Sequence, residues 1–465
     1  MTFRKIQNIF FVGIGGIGMS GIAELLLNLG FKIIGSDINE NVNVKRLKKL
    51  GIKIKIGHDP RNIKKVDLLV YSSAIPLENP EIIMARQKKI PVIRRAEMLG
   101  ELISFKETSI AVGGTHGKTT TSSMLGTILS YSKMDPTLVI GGLVQNMNSN
   151  SKLGSGNIIV VEADEFDRSF LALKPTIAII TNIELEHTDC YKDLNDLKNA
   201  FIQFAKSVPF YGEIIACIDS PSVKEILTKI ERPLITYGLS NDAIYQAKNL
   251  NFKENKSKFS IFFKEKKLGE LELNVPGEHN ILNSLAAFAL CHEMDIPFDT
   301  IKNGLLKYQG VRRRFDIKGI YQDIMIVDDY AHHPTEIIST LNAAKNGWDK
   351  RIVAVFQPHL FSRTLEFYKD FSKALEIADL IIITEIYPAR ENPIPGVSSK
   401  LIFNELTKIK KDKCILIPDL NNLKKNLNLL LKPNDLLITL GAGSIWRYNE
   451  SYTKYLKNMS KAKKN

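Results

Sequence analysis

The sequence predicts an α/β protein of three domains, and three observations carry that prediction. Short Val/Ile-rich runs stop repeatedly at a glycine or polar cluster: NIFFV before GIGGIG, IAV before GGTHGKT, NIIVV before EADEFD and TIAII before TNIELEH, then DIMIV before DDYAHHP, RIVAV before FQPH, DLIII before TEIYP and DLLITL before GAGS. Buried parallel strands have this continuous apolar character. Between them lie stretches such as GMSGIAELLLNLG and TLEFYKDFSKALEIAD, whose apolar positions recur at three and four, as the buried face of a helix requires. The third observation is length: 465 residues with 44% apolar side chains can bury several cores, and the size is that of about three domains. In open sheets built this way ligands bind beyond the carboxyl ends of the strands, where all of these polar clusters sit.

The polar stretch SFKETS at 104–109 and the run KYQGVRRRFD at 307–316 mark the junctions, so the expected domains are 1–106, 107–310 and 311–465. Short alternating runs from 243 to 275 predict a small antiparallel sheet attached to the middle domain. The net charge of +13 comes from scattered lysines, without basic patches interleaved with aromatics. That pattern suits anionic small substrates and argues against nucleic acid. No apolar run reaches 18 residues, so no membrane association is expected, and Gln7 and Asn8 interrupt what could pass for a signal peptide. Cys190, Cys217, Cys291 and Cys414 lie far apart with no Cys-x-x-Cys pair, which predicts reduced thiols and a cytoplasmic location.

The first glycine cluster, Gly13-x-Gly15-Gly16-x-Gly18, follows a strand and opens a helix, with Asp37 at the end of the next strand. This is the pattern by which helix-terminal amides meet a diphosphate and an acid meets a ribose hydroxyl, and NAD is one candidate among several. Ser72 and Ser73, at the end of another strand of the same domain, can supply hydroxyls.

The second cluster, Gly114, Thr115, His116, Gly117, Lys118, Thr119 and Thr120, departs from P-loop spacing. The usual pattern has four residues before Gly-Lys, whereas Gly113 leaves three and Gly114 two. It retains flexible backbone, a lysine for the β/γ oxygens and a hydroxyl for Mg2+, so ATP is the expected ligand. Glu162, at the next strand end, is the expected carboxylate partner of the metal, with Asp164, Glu165 and Asp167 as solvated or helix-capping charges. His187 follows a further strand together with Asn182, Glu184 and Glu186. His187-x-x-Cys190 is too little for a zinc site. A third rim gathers Asp328, Asp329, Tyr330, His332 and His333, then Gln357, His359 and Arg363, then Glu385, Tyr387 and Arg390, and finally Gly441 and Gly443. Two phosphate loops and a polar rim suit an enzyme that uses ATP to activate one bound substrate for attack by another.

Taken in order, GTHGKTTT, EADE, TNIELEHTDCY, VPFYG, PGEHNILNSLAA, GVRRRFD, DDYAHHPTE, FQPHLFSRT, EIYPARENPIPG and GAGSIW resemble the Mur ligases of peptidoglycan synthesis, from about residue 8 to 447. Within that family the resemblance favours the alanine-adding branch. It implies a Rossmann-like N-terminal domain holding UDP-N-acetylmuramate through the first glycine loop and the serines, a P-loop ATPase-like middle domain and a Rossmann-like C-terminal domain. It also implies Thr119 and Glu162 on one Mg2+, or Mn2+ in its place, and His187 on a second metal. Lys118, Glu162 and His187 would form the catalytic set, His279, Asn280 and Asn283 would lie near the ATP base, and Arg314 and Asp329 would contribute to its phosphates and ribose. Tyr330, His332, His359 and Arg363 fall where the incoming L-alanine is held. The implied reaction ligates L-alanine to the lactyl carboxylate through an acyl phosphate, in a monomer or weak homodimer. The alternatives are a branch that attaches a recycled tripeptide and a nucleotide-sensing binding protein with a degenerate site. The chain departs from the family pattern at Phe166, where serine is usual, and at Leu360, where arginine is usual, leaving Arg363 with more of the grip on the amino acid's carboxylate.

Overall fold

The computed structural model describes residues 6–142, 151–186, 190–389 and 391–462. His187 and Arg390 therefore lie outside the described residues. The chain forms two compact units, one of Met1–Lys248, Ser260–Leu271 and Leu282–Tyr308, the other of Asn249–Phe259, Glu272–Ile281 and Gln309–Asn465.

Two sheets supply the strands of the first unit, the second of them including residues, Asn249–Phe259 among them, that fall in the other unit. One is formed by β1 (Asn8–Val12), β2 (Lys32–Asp37), β3 (Lys53–Ile56), β4 (Leu68–Tyr71) and β5 (Val92–Arg94), all parallel, in the order β3-β2-β1-β4-β5. The order reverses direction at β1, so the loop after Val12 opens at a topological switch point. Phe10, Phe11 and Val12 are fully buried, as a central strand covered on both faces demands.

The second sheet has ten strands: β6 (Thr108–Gly113), β7 (Thr137–Val139), β8 (Ser151–Lys152), β9 (Ile158–Ala163), β10 (Ile177–Ile180), β11 (Glu213–Cys217), β12 (Leu234–Gly238), β13 (Tyr245–Lys253), β14 (Lys256–Phe263) and β15 (Lys266–Leu273). Their order is β15-β14-β13-β12-β11-β10-β6-β9-β7-β8. β6 lies between β10 and β9, and the register pairs Gly113 with Ala163 on one side and with Ile180 on the other. Three strand ends, carrying the P-loop, Glu162 and Thr181, thus finish side by side. Beneath them Phe170 packs 5.0 Å from Phe201 and 5.1 Å from Phe204, ring centre to ring centre. The alternating stretch from 243 to 275 forms β13, β14 and β15, adjacent strands joined by two-residue links and therefore antiparallel. Lys264 and Glu265, at φ 45° and 67°, have the doubly positive φ of a hairpin turn that matches strand twist.

The second unit is built on a sheet of β16 (Asp316–Tyr321), β17 (Ile324–Asp329), β18 (Arg351–Phe356), β19 (Leu380–Thr384), β20 (Cys414–Ile417) and β21 (Asp435–Leu440), ordered β16-β17-β21-β18-β19-β20. Only the β16–β17 pairing is antiparallel. Ile326, Val353, Val355 and Ile382 pack one face of this sheet and Val327, Ala354, Phe356 and Ile381 the other. The buried Val, Ile and Phe side chains among these each contribute roughly 1.5–3 kcal/mol. Cys190, Cys217, Cys291 and Cys414 are free thiols. Among the described residues no helix is long and apolar enough to cross a membrane.

Candidate active site

The shortened P-loop is completed by another strand. Gly114 has φ 138°, and a Cβ there would lie 2.0 Å from Thr181 Oγ1; one on Gly117, at φ 87°, would lie 2.4 Å from Asn283 Oδ1. Only glycine permits so close an approach of backbone to its neighbours. Thr181 Oγ1 donates to the His116 carbonyl at 2.6 Å, while Asn182 accepts from His116 N at 2.8 Å and donates to its carbonyl at 3.0 Å. Thr115 Oγ1 donates to the Glu184 carbonyl and accepts from Glu184 N. The end of β10 therefore braces a loop too short to fold wholly on itself. A glycine-rich turn, a lysine and a helix N-terminus at Gly117 fit a nucleotide phosphate.

Lys118 opens the helix Lys118–Tyr131, capped by Gly117. Its ammonium donates to the Gly114 carbonyl at 2.5 Å, to the Thr115 carbonyl at 3.0 Å and to both oxygens of Glu165 at 3.0 and 2.7 Å. Burial lowers the lysine's proton affinity, but Glu165, Asp164 and Glu186 outweigh it and hold the ammonium above its ordinary range. Glu165 is only 1% exposed, and burial pushes its pKa up to about 7 against the pull of Lys118. The expectation that Glu165 is a solvated or capping charge is thus corrected: the lysine's need for a counter-charge draws this acid inside. Thr119 and Thr120 follow on the helix, Thr120 buried.

Glu162, at the end of β9, accepts from Thr119 Oγ1 at 3.1 Å and from Gly141 N at 2.7 Å, and its burial raises its pKa. A hydroxyl and a carboxylate at this separation are two hard oxygen donors, a pair that fits Mg2+. Asn283, on the helix Glu278–Glu293, accepts from Thr121 Oγ1 at 3.3 Å.

The first glycine loop has no lysine. Gly13, at φ 76°, donates to the Ser36 carbonyl, and Gly15 N donates to Asp37 Oδ2 at 2.8 Å. Asn41 and Asn43 donate to the Gly15 carbonyl. Gly16 caps the helix Ile17–Asn28, and a Cβ on Gly18 would stand 2.9 Å from Arg95 Nη1. Asp37 thus spends one carboxylate oxygen on the loop itself. Ser72 accepts from Ala74 N at 3.4 Å, and its Cβ lies 3.4 Å from where a Cβ on Gly13 would be. Ser73 lines a small open cleft with Arg94, Arg95 and Arg168.

In the second unit the chain draws together residues from four strand ends. Tyr330 lies under Arg313 at 4.7 Å and Arg314 at 5.4 Å. The Tyr330 and His332 rings are 5.2 Å apart, those of His332 and His359 6.1 Å, and His359 stacks on Tyr387 at 5.7 Å. Arg363 Nη1 lies 3.3 Å from His359 Nδ1. Leu360 caps the helix Phe361–Leu375 at φ 71°, a strained conformation for a side-chain-bearing residue. Asp329 accepts from Phe315 N, Ala331 N and Thr340 Oγ1, and burial raises its pKa to about 6 against the pull of Arg314. Arg314 pairs with Glu336 at 3.0 Å. Burial, with Arg314 nearby, lowers His279 to about 4, and Asn280 donates to the Pro276 carbonyl.

Residues 8–107 match the Mur ligase family catalytic domain, 112–291 the Mur ligase middle domain and 313–443 the Mur ligase glutamate ligase domain. The chain belongs to the Mur ligase family. Among curated Mur ligases, UDP-N-acetylmuramate–L-alanine ligase of Geotalea uraniireducens is 47% identical over 98% of this chain and 99% of its own. That of Geobacter sulfurreducens is 44% identical over 99% and 100%. The crystal structure of UDP-N-acetylmuramate-alanine ligase MurC from Thermotoga maritima superposes with a TM-score of 0.83 at 29% identity, covering 97% of this chain and 99% of that one. A murein peptide ligase from Psychrobacter arcticus gives 0.70 at 25%, with the same coverage.

Three groups in this Mur ligase site carry no assigned role in the sequence pattern. Thr181 and Asn182 merely follow a strand, and their bracing of the loop depends on the register of β10 beside β6. Glu165 sits in an acidic run; the signal available is its place three residues after Glu162, beyond a strand end adjoining the lysine.

Proposed function

We propose that the chain ligates L-alanine to the lactyl carboxylate of UDP-N-acetylmuramate, driven by ATP, in the cytoplasmic synthesis of peptidoglycan precursors. The observation that carries this reading is the half-buried grouping of Lys118, Thr119 and Glu162 at adjoining strand ends, together with full-length similarity to alanine-adding Mur ligases. Residues 1–106 would hold the UDP-sugar through Gly13, Gly15, Gly16, Gly18, Asp37, Ser72 and Ser73. Residues 107–310 would hold ATP, and 311–465 the amino acid. His279, Asn280 and Asn283 would serve the base, and Arg314 and Asp329 the phosphates and ribose. His187 is proposed as a second metal ligand.

At neutral pH a carboxylate is a poor acceptor for an amine, because oxide is not a leaving group. Attack by a lactyl carboxylate oxygen on the γ-phosphorus breaks its bond to the β–γ bridging oxygen, so that ADP leaves and the carboxylate becomes an acyl phosphate, from which the amine can then expel phosphate. Lys118, aimed across the loop, neutralises charge on the transferring group. Thr119 and Glu162 would hold Mg2+, which supplies Lewis-acid charge stabilisation when bound. Arg363, beside His359, would pair with the carboxylate of alanine and leave its amine free to attack the acyl carbon.

The test supplies Mg·ATP and UDP-N-acetylmuramate with L-alanine, glycine, L-serine or the tripeptide, following phosphate and product mass. Release dependent on L-alanine, with the UDP-muramoyl-alanine mass, is expected. Turnover with the tripeptide alone would replace this reading with the recycling reaction. The lower structural similarity to a murein peptide ligase favours alanine.

A further inference from the structure

The P-loop lysine is already saturated by the protein. An ammonium has three protons, and that of Lys118 faces four acceptors: two loop carbonyls and both oxygens of Glu165. Of these only Glu165 carries charge and sits on a side chain able to withdraw. Its backbone is fixed, since Tyr191 donates to the Glu165 carbonyl at 2.6 Å. The groups facing the carboxylate are Lys118, Asp164 and Glu186, with Tyr191 behind it. Asp164 in turn lies 3.7 Å from Arg95.

We propose that Glu165 is a positioning residue for Lys118: it holds the ammonium over the loop carbonyls and yields it to the terminal phosphates of the nucleotide, taking up one proton from solvent as it does so. This rests on the reading that the loop binds ATP. The reason for the proton is electrostatic. Once Lys118 turns to phosphate, Glu165 is a buried carboxylate beside two other acids and a polyanion, and neutralisation costs less than leaving that charge unpaired. Its pKa of about 7 places it close to that transition while Lys118 is still its partner. Nucleotide binding that takes up a proton weakens as pH rises.

The experiment is calorimetric titration of the full chain with Mg·ATP, in the absence of the amino-sugar acceptor, in buffers of different ionisation enthalpy from pH 7 to 8.5. Wild type is expected to take up close to one proton at pH 8, with affinity falling toward about tenfold per pH unit. Glu165→Gln should bind without uptake and with a flat pH profile, and Glu165→Asp should restore the linkage. A wild-type proton count of zero, or the same count and slope in Glu165→Gln, would overturn the inference while leaving the nucleotide site intact. Failure of the folded wild type to bind Mg·ATP at any pH would overturn the ATP reading and this inference with it.

Discussion

The two glycine loops of the first unit look alike in sequence and differ in how they handle charge. Both follow a buried central strand, open a helix and contain glycines that close contacts require. Around Gly13–Gly18 the polar groups are spent on the loop itself: Gly15 N on Asp37, and Asn41 and Asn43 on the Gly15 carbonyl. Around Gly114–Lys118 the loop is braced from β10, and its lysine is balanced by a buried acid. The first loop presents dipoles and suits a diphosphate that is only held. The second presents a movable full charge and suits a phosphate that is transferred.

The largest way to break this contrast is Lys118→Ala. Turnover should fall by about a thousandfold or more while circular dichroism and the affinity for the UDP-sugar stay as in wild type; near-normal turnover would remove the second loop from the chemistry. Exchanging glycines sharpens the contrast. In Gly15→Ala the new methyl meets Asn41, Val44 and Asp37 at 2.7–2.8 Å, so KM for the UDP-sugar should rise with KM for ATP little changed. Gly114→Ala, crowding Thr181, should show the reverse, and each should cost about 1–3 kcal/mol of stability in denaturant melts.

Arg363→Ala addresses the third rim. Loss of a charged hydrogen bond should raise KM for L-alanine by about tenfold to a hundredfold with ATP unaffected; equal changes in both would dismiss the assignment. The smallest effect concerns pH. His279, lowered from 6.5 to about 4, binds fewer protons folded than unfolded across that window, so its contribution to stability grows as pH rises through it. Asp329, raised from 3.8 to about 6, acts in the opposite sense over nearly the same range. The melting temperature of His279→Gln should therefore fall further behind wild type as pH goes from 4 to 6.5.

The strand ends were legible because buried parallel strands need unbroken Val/Ile runs and ligand loops need the glycines and acids that interrupt them; β1, β6, β9, β10, β17, β18, β19 and β21 each follow that rule. The hairpins β13 to β15 were legible from alternation. Glu165 was not, since an acid in EADEFD looks solvated until a lysine 47 positions earlier in the chain is placed against it. Nor was the function of Thr181 and Asn182, which follows from strand order rather than from any local pattern. The strain at Leu360 is likewise a property of the backbone path, not of the residue type.

In the proposed function one loop holds a carboxylate-bearing UDP-sugar while the other directs phosphate transfer to that carboxylate. Its most direct test is UDP-N-acetylmuramate labelled with ¹⁸O in the lactyl carboxylate, incubated with Mg·ATP, L-alanine and the enzyme. The account predicts one labelled oxygen in each phosphate released; unlabelled phosphate alongside full amide formation would contradict it.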